Sequence, residues 1–295
     1  MTDARLSQPT RLTASQQEAV AALFAAEESR SGRRPLDESR RILVTSGSAA
    51  DQWLLIAADG TALAYANVVD SVAELSGLDE TAAAEILEAV RESGVADLVW
   101  THGERSVARQ AAVAAGLPVV RELLLLSAAL PRQVRPMPAD VSLRPFDAER
   151  DAEPWLALNR AAFVDLPDQA SWSSADLQER LAAPWFDPDD FLLAVDAQGA
   201  VIGFHWTKID PAATVTDDQG QSHVSGEVFV MAVAPERQGT GLAAPLLDAG
   251  LAHLARRGLT RVHLFVDASN RTAVRLYERA GFSVVDTDRM YRLRP

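Results

Sequence analysis

The sequence predicts an α/β protein built from two tandem domains, and three observations point to this. The chain has 295 residues, which is long for one domain of this class and comfortable for two. Its second half contains an uninterrupted strand, glycine loop and helix between Gly226 and Gly258. Its first half repeats part of the residue spacing of the second half. An apolar content of 48% is sufficient for a hydrophobic core.

The strand and the helix of the second half follow from residue periodicity. Val228 to Val233 are six consecutive apolar residues rich in valine, and Pro235 ends the strand that they predict. The following segment predicts an amphipathic helix that ends at Gly258. The leucines at helical spacing are Leu242, Leu246, Leu247, Leu251 and Leu254.

The loop between that strand and that helix predicts a pyrophosphate site. Gln238 to Ala243 place several backbone N–H groups at a helix N-terminus with few bulky side chains, and both the N–H groups and the helix dipole favour an anion. A nucleotide P-loop is excluded because the loop has no lysine, and a dinucleotide fingerprint lacks its third glycine, where Ala244 stands. The alternative is a helix cap made of small residues.

A second motif follows closely. Val262 to Val266 predict another strand, Asn270 is a favourable helix N-cap, and Gly281 is a favourable residue just beyond the helix C-terminus. Asn270 and Tyr277 are seven residues apart and therefore share one face of this helix.

The two motifs, in this order, resemble the GCN5-related N-acetyltransferases. Gln238, Gly241 and Ala243 occupy the three specified positions of that family's coenzyme A loop, Q/R-x-x-G-x-G/A, and the N…A…Y…GF arrangement follows it. The whole chain is similar, more narrowly, to the mycothiol synthase family of tandem acetyltransferases, through PWFDPDDFLLA at Pro184–Ala194 and GFHWTK at Gly203–Lys208. The resemblance implies two tandem domains of this fold, each a mixed, mostly antiparallel sheet flanked by helices. It also implies acetyl-CoA-dependent acetylation of the cysteinyl amine of cysteinyl-glucosaminyl-inositol, the last step of mycothiol biosynthesis.

A proline-rich linker sets the predicted domain boundary. Leu130 to Pro145 contain four prolines, so we expect an N-terminal domain at residues 1–135 and a catalytic domain at residues 136–295. Ala108 and Gly116 stand at the spacing that Ala273 and Gly281 have in the second half. The first half has no glycine loop and has Ala112 at the tyrosine position, so we expect a degenerate domain without acetyl-CoA. An unrelated α/β domain with chance spacing is the alternative.

The resemblance also assigns the acetyl-CoA contacts position by position, with acetyl-CoA as a cosubstrate and no metal. Three segments would hold it: a strand, the glycine loop and the start of the last helix. The strand residues are Met231, Ala232 and Val233; the loop residues are Gln238, Gly239, Thr240, Gly241, Leu242, Ala243 and Ala244; the helix residues are Asn270, Arg271, Thr272, Ala273, Val274 and Arg275.

Acetyl transfer to an amine needs a neutral amine and a proton for the departing thiolate. Tyr277 is the predicted general acid. Glu227 at the start of the coenzyme strand is the predicted base, and its alternative is a solvated strand-end carboxylate. Lys208, the only lysine of the chain, is either a substrate contact or a strand-end charge. The resemblance implies that Glu38, reaching across from the first domain, contacts the substrate with Lys208 and Glu227. Phe265 stands at the substrate site where the family has tyrosine.

Composition restricts the partners of the chain. The absence of cysteine excludes disulfides, thiolate metal sites and a cysteine nucleophile, and a net charge of −13 argues against nucleic acid. With no apolar leader or membrane span, we expect a cytoplasmic monomer that binds a small-molecule amine.

Two other functions stay open at this stage. One is an acetyltransferase of the same fold for another amine, such as a protein N-terminus or an aminoglycoside. For an aminoglycoside, the expected cleft carboxylates are Asp165, Asp168, Asp187, Asp189 and Asp190. The other is a coenzyme A-binding regulator without catalysis, which would need neither Glu227 nor Tyr277.

Overall fold

A computed structural model describes residues 4–164, 166–216 and 222–294. The chain divides into two compact units. The first consists of Met1–Leu124, Asp267–Ser269 and Asp286–Pro295, and the second of Leu125–Val266 and Asn270–Val285. The predicted domain boundary between residues 135 and 136 stays a prediction, because the second compact unit begins earlier and the first one includes the C-terminal segment.

The secondary structure alternates strands and helices along the described chain. The strands are β1 (Ala4–Ser7), β2 (Asp51–Ala57), β3 (Ala62–Val69), β4 (Val72–Gly77), β5 (Leu98–Thr101), β6 (Val119–Ala129), β7 (Val141–Pro145), β8 (Phe191–Asp196), β9 (Val201–Thr216), β10 (Ser222–Val233), β11 (Arg261–Asp267) and β12 (Ser283–Arg292). The helices are α1 (Ala14–Ser31), α2 (Glu38–Thr45), α3 (Glu80–Ser93), α4 (Val107–Ala114), α5 (Ala148–Ala162), α6 (Pro167–Ala170), α7 (Ser174–Leu181), α8 (Ala243–Arg256) and α9 (Arg271–Arg279).

The first unit is built on a mixed sheet in the order β1-β2-β3-β4-β5-β12. Only β4 and β5 among these pairs run parallel; the others are antiparallel. Side chains alternate between its two faces, as the two-residue period of a strand requires. Leu55 belongs to one buried cluster, together with Ile86 of α3, while the adjacent Leu54 belongs to another, together with Phe24 of α1.

The second unit repeats the same type of sheet, in the order β6-β11-β10-β9-β8-β7, with β10 and β11 parallel. An aromatic core lies on one face of it. Phe191 and Trp206 are register partners on β8 and β9, and their rings stack with centroids 4.3 Å apart against Trp155 of α5. The predicted α/β class, with a mixed and mostly antiparallel sheet in each half, is confirmed.

Helix α8 is held against the sheet of the second unit through a histidine and a glycine. A Cβ at Gly250 would overlap the ring of His205 on β9, so only glycine allows this close approach. The His205 Nδ1 lies 3.1 Å from the carbonyl oxygen of Leu246, and burial lowers the pKa of His205 to about 4. His205 is therefore a neutral packing residue. No helix in the described part of the chain is long and apolar enough to span a membrane.

Candidate active site

The site begins where two parallel strands separate. The ladder between β10 and β11 contains the pairs Gly226–Val262 and Glu227–His263 and does not continue beyond them in the described residues. On its other edge, β10 stays paired with β9 as far as Val233. The segment after Glu227 therefore has one edge whose backbone groups are not used by the sheet. An extended amide chain such as pantetheine can bind to such an edge by strand-like hydrogen bonds.

A bulge in β10 lies just beyond this point. The register with β9 shifts by one residue between Val228 and Val230, so that Phe229 is the extra residue. A bulge bends the strand and re-aims the side chains next to it, and bulges are common beside active sites. Met231, Ala232 and Val233, the predicted strand contacts, follow this bulge and pair with His205, Phe204 and Gly203 of β9. The backbone groups of this segment that do not bond to β9 face the gap.

The predicted pyrophosphate loop has the backbone geometry of an anion site. Gly239 and Gly241 have φ values of 74° and 90°, which favour glycine, and a Cβ at either position would meet nothing within 4 Å. The following helix α8 begins after Leu242 with no side-chain cap. Hydrogen bonding among the described residues leaves the N–H groups of Gly239, Gly241 and Ala243 without an intramolecular acceptor. Free donors at the N-terminus of a 14-residue helix suit a diphosphate.

The neighbouring loop residues shape this turn. The Thr240 hydroxyl donates to the carbonyl oxygen of Arg237 at 2.7 Å, and the Gln238 amide donates to the carbonyl oxygen of Val233 at 3.3 Å. Arg237 donates to Asp140 at 2.9 Å. Leu242 is buried, whereas Ala243 and Ala244 are partly exposed at the start of α8. The small residues thus leave the helix end accessible.

The corresponding place in the first unit is closed. Helix α3 follows β4 as α8 follows β10, but Asp79 caps it by accepting from the Ala82 N–H at 2.9 Å. Glu27 of α1 accepts from the Ser76 hydroxyl at 2.5 Å and from the Gly77 N–H at 3.3 Å, and Arg30 donates to the carbonyl oxygen of Gly77 at 3.1 Å. Carboxylates accept from two of the N–H groups that an anion would use there, and the expected lack of an acetyl-CoA site stays a prediction.

Helix α9 supplies the second half of the predicted site. Asn270 is its N-cap, and the side-chain oxygen accepts from the Ala273 N–H at 3.1 Å, as the sequence predicted. Arg271, Thr272 and Arg275 are exposed, Ala273 is partly buried and Val274 is buried. Tyr277 is 8% exposed, and its ring packs edge-on against Phe282 with centroids 5.7 Å apart. Burial raises the pKa of Tyr277 to about 12, so the phenol keeps its proton.

Three polar side chains form a row across the strands at the point of separation. Lys208 on β9 is the register partner of Glu227 on β10, and Glu227 is the register partner of His263 on β11. Register partners project to the same face of a sheet. Burial raises the pKa of Glu227; the Lys208 ammonium lowers this pKa and the Asp210 carboxylate raises it. A half-buried carboxylate with a raised pKa is suited to accept a proton.

Lys208 has an aromatic environment. Its Nζ lies 4.8 Å from the ring centroid of Trp185 and 5.6 Å from that of Phe229. Contacts of an ammonium with ring faces orient the side chain without neutralising its charge. Lys208 thus stands beside Glu227 with two aromatic rings near its ammonium, and its contact with a substrate stays a prediction.

Two polar residues of this site were missed from the sequence. Ser225 is fully buried and its Oγ lies 2.9 Å from the Nδ1 of His263, whose Nε2 lies 3.9 Å from a carboxylate oxygen of Glu227. The available signal was a histidine within an apolar strand. It carried no information about its partner, because parallel register is not encoded locally.

Two other residues were predicted to contact the substrate, Phe265 and Glu38, and neither is a member of the row formed by Lys208, Glu227 and His263. Phe265 is on β11, two residues after His263 and on the same face, and is 40% exposed with its ring centroid 6.2 Å from that of His263. Glu38 belongs to the first unit, where it is exposed at the first position of α2. Its contact with a substrate stays a prediction.

Three of the carboxylates expected of an aminoglycoside cleft are described, and two of them, Asp187 and Asp190, share the guanidinium of Arg257. Asp190 is buried and accepts from His253 at 2.5 Å, and Asp187 pairs with Arg257 at 2.9 Å. Asp189 is exposed. Asp165 and the side chain of Asp168 lie outside the described residues. The described members are thus divided between ion pairs and solvent.

Comparison with known proteins agrees with this geometry. Residues 153–282 match the Acetyltransferase (GNAT) family. The chain is 39% identical over 293 residues to a mycothiol acetyltransferase of Thermobispora bispora, with 96% of this chain and 97% of that protein covered. It is also 39% identical to a mycothiol acetyltransferase of Pseudarthrobacter chlorophenolicus, covering 91% of this chain and 90% of that protein.

Solved structures show the same fold. A GCN5-related N-acetyltransferase from Sphaerobacter thermophilus has a TM-score of 0.71 at 22% identity and covers 99% of this chain and 96% of its own. A tandem GNAT protein from the clavulanic acid biosynthesis pathway has a TM-score of 0.66 at 16% identity, with 99% of both chains covered. These likenesses confirm the predicted tandem arrangement. The two sequence relatives are 39% identical to this chain along more than 90% of its length, which shows the family as well as the fold. The protein is an N-acetyltransferase that belongs to the mycothiol acetyltransferase family.

Proposed function

We propose that this protein transfers the acetyl group of acetyl-CoA to the α-amine of a cysteinyl group carried by a glucosaminyl-inositol, completing mycothiol. The names of the full-length relatives support the product. The observation that carries the chemistry is the placement of Glu227, with a raised pKa, at the last paired position before β10 and β11 separate. An amine entering this gap would meet the proposed base beside the proposed thioester site.

In the proposed acetyl-CoA site, the free edge of Met231–Val233 binds the pantetheine arm, and the loop Gln238–Ala244 with the start of α8 binds the diphosphate. Residues Asn270–Arg275 complete it at the start of α9. The fit is supported by the uncapped helix, by the open space at Gly239 and Gly241, and by the unused N–H groups of the loop.

In the proposed reaction, Glu227 accepts a proton from the ammonium, and the neutral amine attacks the thioester carbon. As the carbon–sulfur bond breaks, Tyr277 donates its proton to the departing thiolate. An α-amine has an ordinary pKa of about 7.7–8.0, so it is mostly protonated at neutral pH, but removing its proton costs only about 1.4 kcal/mol at most. Lys208, Glu38 and Phe265 are proposed to contact the rest of the substrate. We further propose that the protein acts as a cytoplasmic monomer.

The test is an acetyl-transfer assay with a choice of acceptors. Acetyl-CoA is offered with cysteinyl-glucosaminyl-inositol, free cysteine or a simple aminoglycoside, and the product is identified by mass because the first two acceptors carry thiols of their own. Strong preference in kcat/KM for the pseudodisaccharide is expected. Equal or better turnover of the aminoglycoside would contradict the proposed acceptor, and acetyl-CoA binding without any turnover would favour a regulator.

A further inference from the structure

The hydrogen bonds around Ser225 determine the state of the His263 ring. The Ser225 hydroxyl donates to the carbonyl oxygen of Gly226 at 3.1 Å, and its oxygen lies 2.9 Å from the Nδ1 of His263. A serine hydroxyl has one hydrogen, which here is used by Gly226, so its oxygen accepts from Nδ1–H of His263. In the neutral ring, Nε2 consequently carries the lone pair.

The Nε2 atom of this ring lies near the proposed base. Nε2 of His263 lies 3.9 Å from a carboxylate oxygen of Glu227. That separation is too long for a direct hydrogen bond, and two acceptors at this distance can share a donor between them, such as a water molecule. The side chains are 8% and 18% exposed, so few solvent molecules compete for the position.

We propose that His263 is a proton-relay residue that acts through Glu227, with Ser225 orienting its ring. The inference rests on the proposed function. Glu227 takes the proton as an N–H bond of the ammonium breaks and an O–H bond forms. That O–H bond then breaks as a new N–H bond forms on Nε2, directly or through one water. The carboxylate is restored, and the imidazolium lies between a carboxylate and the Ser225 oxygen.

The relay would help Glu227 to release the proton that it has accepted. A half-buried carboxylate with a raised pKa accepts a proton readily but releases it slowly, and the imidazole beside it offers a second proton acceptor within reach. Among the described residues, the charged groups whose fields act on Glu227 are Lys208 and Asp210 of β9. The Lys208 charge favours the ionised carboxylate and so assists release of the proton from Glu227.

The test compares pH profiles of kcat for the full-length enzyme and its His263→Gln variant, with acetyl-CoA and the cysteinyl amine as substrates. Below about pH 7.5 the variant is expected to be roughly 10-fold slower or more, because the acceptor arrives protonated. Above about pH 9 the two rates should converge, because the amine is already neutral. The KM for acetyl-CoA should not change. Imidazole added to a His263→Ala variant should restore part of the low-pH rate.

The outcomes separate the relay from a structural role and from the proposed function. Rates that differ by the same factor at every pH, or do not differ at all, overturn the relay. If His263→Gln does not fold, Ser225→Ala decides: a smaller loss confined to low pH supports the relay, and an unchanged profile overturns it. A wild-type enzyme that acetylates no cysteinyl amine overturns the proposed function, and the relay with it.

Discussion

Glu227 and His263 are register partners in the last pair of a parallel ladder, and their carboxylate and imidazole lie 3.9 Å apart. Parallel pairing is what brings them together, because 36 positions separate them along the chain and α8 lies between them. Immediately beyond this pair the strands separate and the acetyl-CoA site is proposed to begin. The proposed acid–base groups and the proposed thioester site therefore lie at the same place in the fold, the end of the ladder.

Replacing Glu227 with glutamine should abolish most of the catalysis while preserving binding of acetyl-CoA. The amide keeps the shape of the side chain but cannot take a proton, so kcat should fall by roughly 10²-fold or more. Steady-state kinetics and calorimetric titration of acetyl-CoA measure the two effects. Glu236→Gln, an exposed position near the loop, is the matched control and should leave kcat unchanged. Loss of acetyl-CoA affinity with kcat intact would contradict the role of base.

Replacing Tyr277 with phenylalanine should lower kcat by roughly 10²-fold with little change in thermal stability. The ring keeps its edge-on contact with Phe282, and only the hydroxyl is removed. Because burial raises the pKa of Tyr277 to about 12, the hydroxyl is in its proton-donating form throughout the working pH range. Kinetics combined with a melting curve test this. A large fall in the melting temperature would instead indicate a packing role.

Gly241 and Gly258 provide a matched pair for the pyrophosphate loop. They flank α8, have φ values of 90° and 89°, and face open space at the Cβ position. Alanine at either position should cost roughly 1–3 kcal/mol of folding stability, because both require the same disfavoured φ. Only Gly241→Ala should also raise the Kd for acetyl-CoA, by about 10-fold. Equal affinities in the two variants would contradict the assignment of the loop.

Removing the charge of Lys208 should shift the pH dependence of catalysis. The ammonium lowers the pKa of Glu227, so Lys208→Met should raise that pKa and move the acidic limb of the kcat/KM profile to higher pH. Lys208→Arg keeps a positive charge and is the control. The profiles of kcat/KM against pH for the three proteins are the measurement, and an acidic limb at the same pH in wild type and Lys208→Met would be the contrary result.

The first unit should show pH-dependent stability that depends on His102. Its Nδ1 lies 3.3 Å from Asp288 and its Nε2 lies 3.2 Å from Glu74. Burial opposes protonation, but the two carboxylates outweigh it and raise the pKa of His102 from 6.5 to about 10. Because the folded-state pKa is the higher one, this stabilisation is complete below about pH 6.5 and is lost as pH rises through about 10.

The variant His102→Gln should consequently unfold at lower denaturant concentration than wild type at pH 6.5. The difference in unfolding free energy should shrink as pH approaches 10. Urea unfolding at pH 6.5, 8 and 9.5 measures it, with both proteins in the same buffers. A difference that stays constant over this range would show that the ring acts by packing alone.

Local patterns in the sequence determined much of this protein. The valine strand, the glycine loop, the leucine face of α8, the Asn270 cap and the α/β class each depend on neighbours within about ten residues, and the structure has them as predicted. The positions of Gly239 and Gly241 followed from the same local reasoning, because positive φ is a property of one residue and its immediate chain.

The tertiary structure alone decided which polar side chains meet. Lys208, Glu227 and His263 come from three strands, and their row depends on an antiparallel register, a bulge at Phe229 and a parallel register that ends at Glu227. A shift of one residue in any of these would turn a side chain to the other face. The closure of the first-unit loop by Glu27 and Arg30 is likewise a contact of α1 with a distant strand end. Side-chain encounters of this kind depend on the packing of the whole sheet, which no local pattern contains.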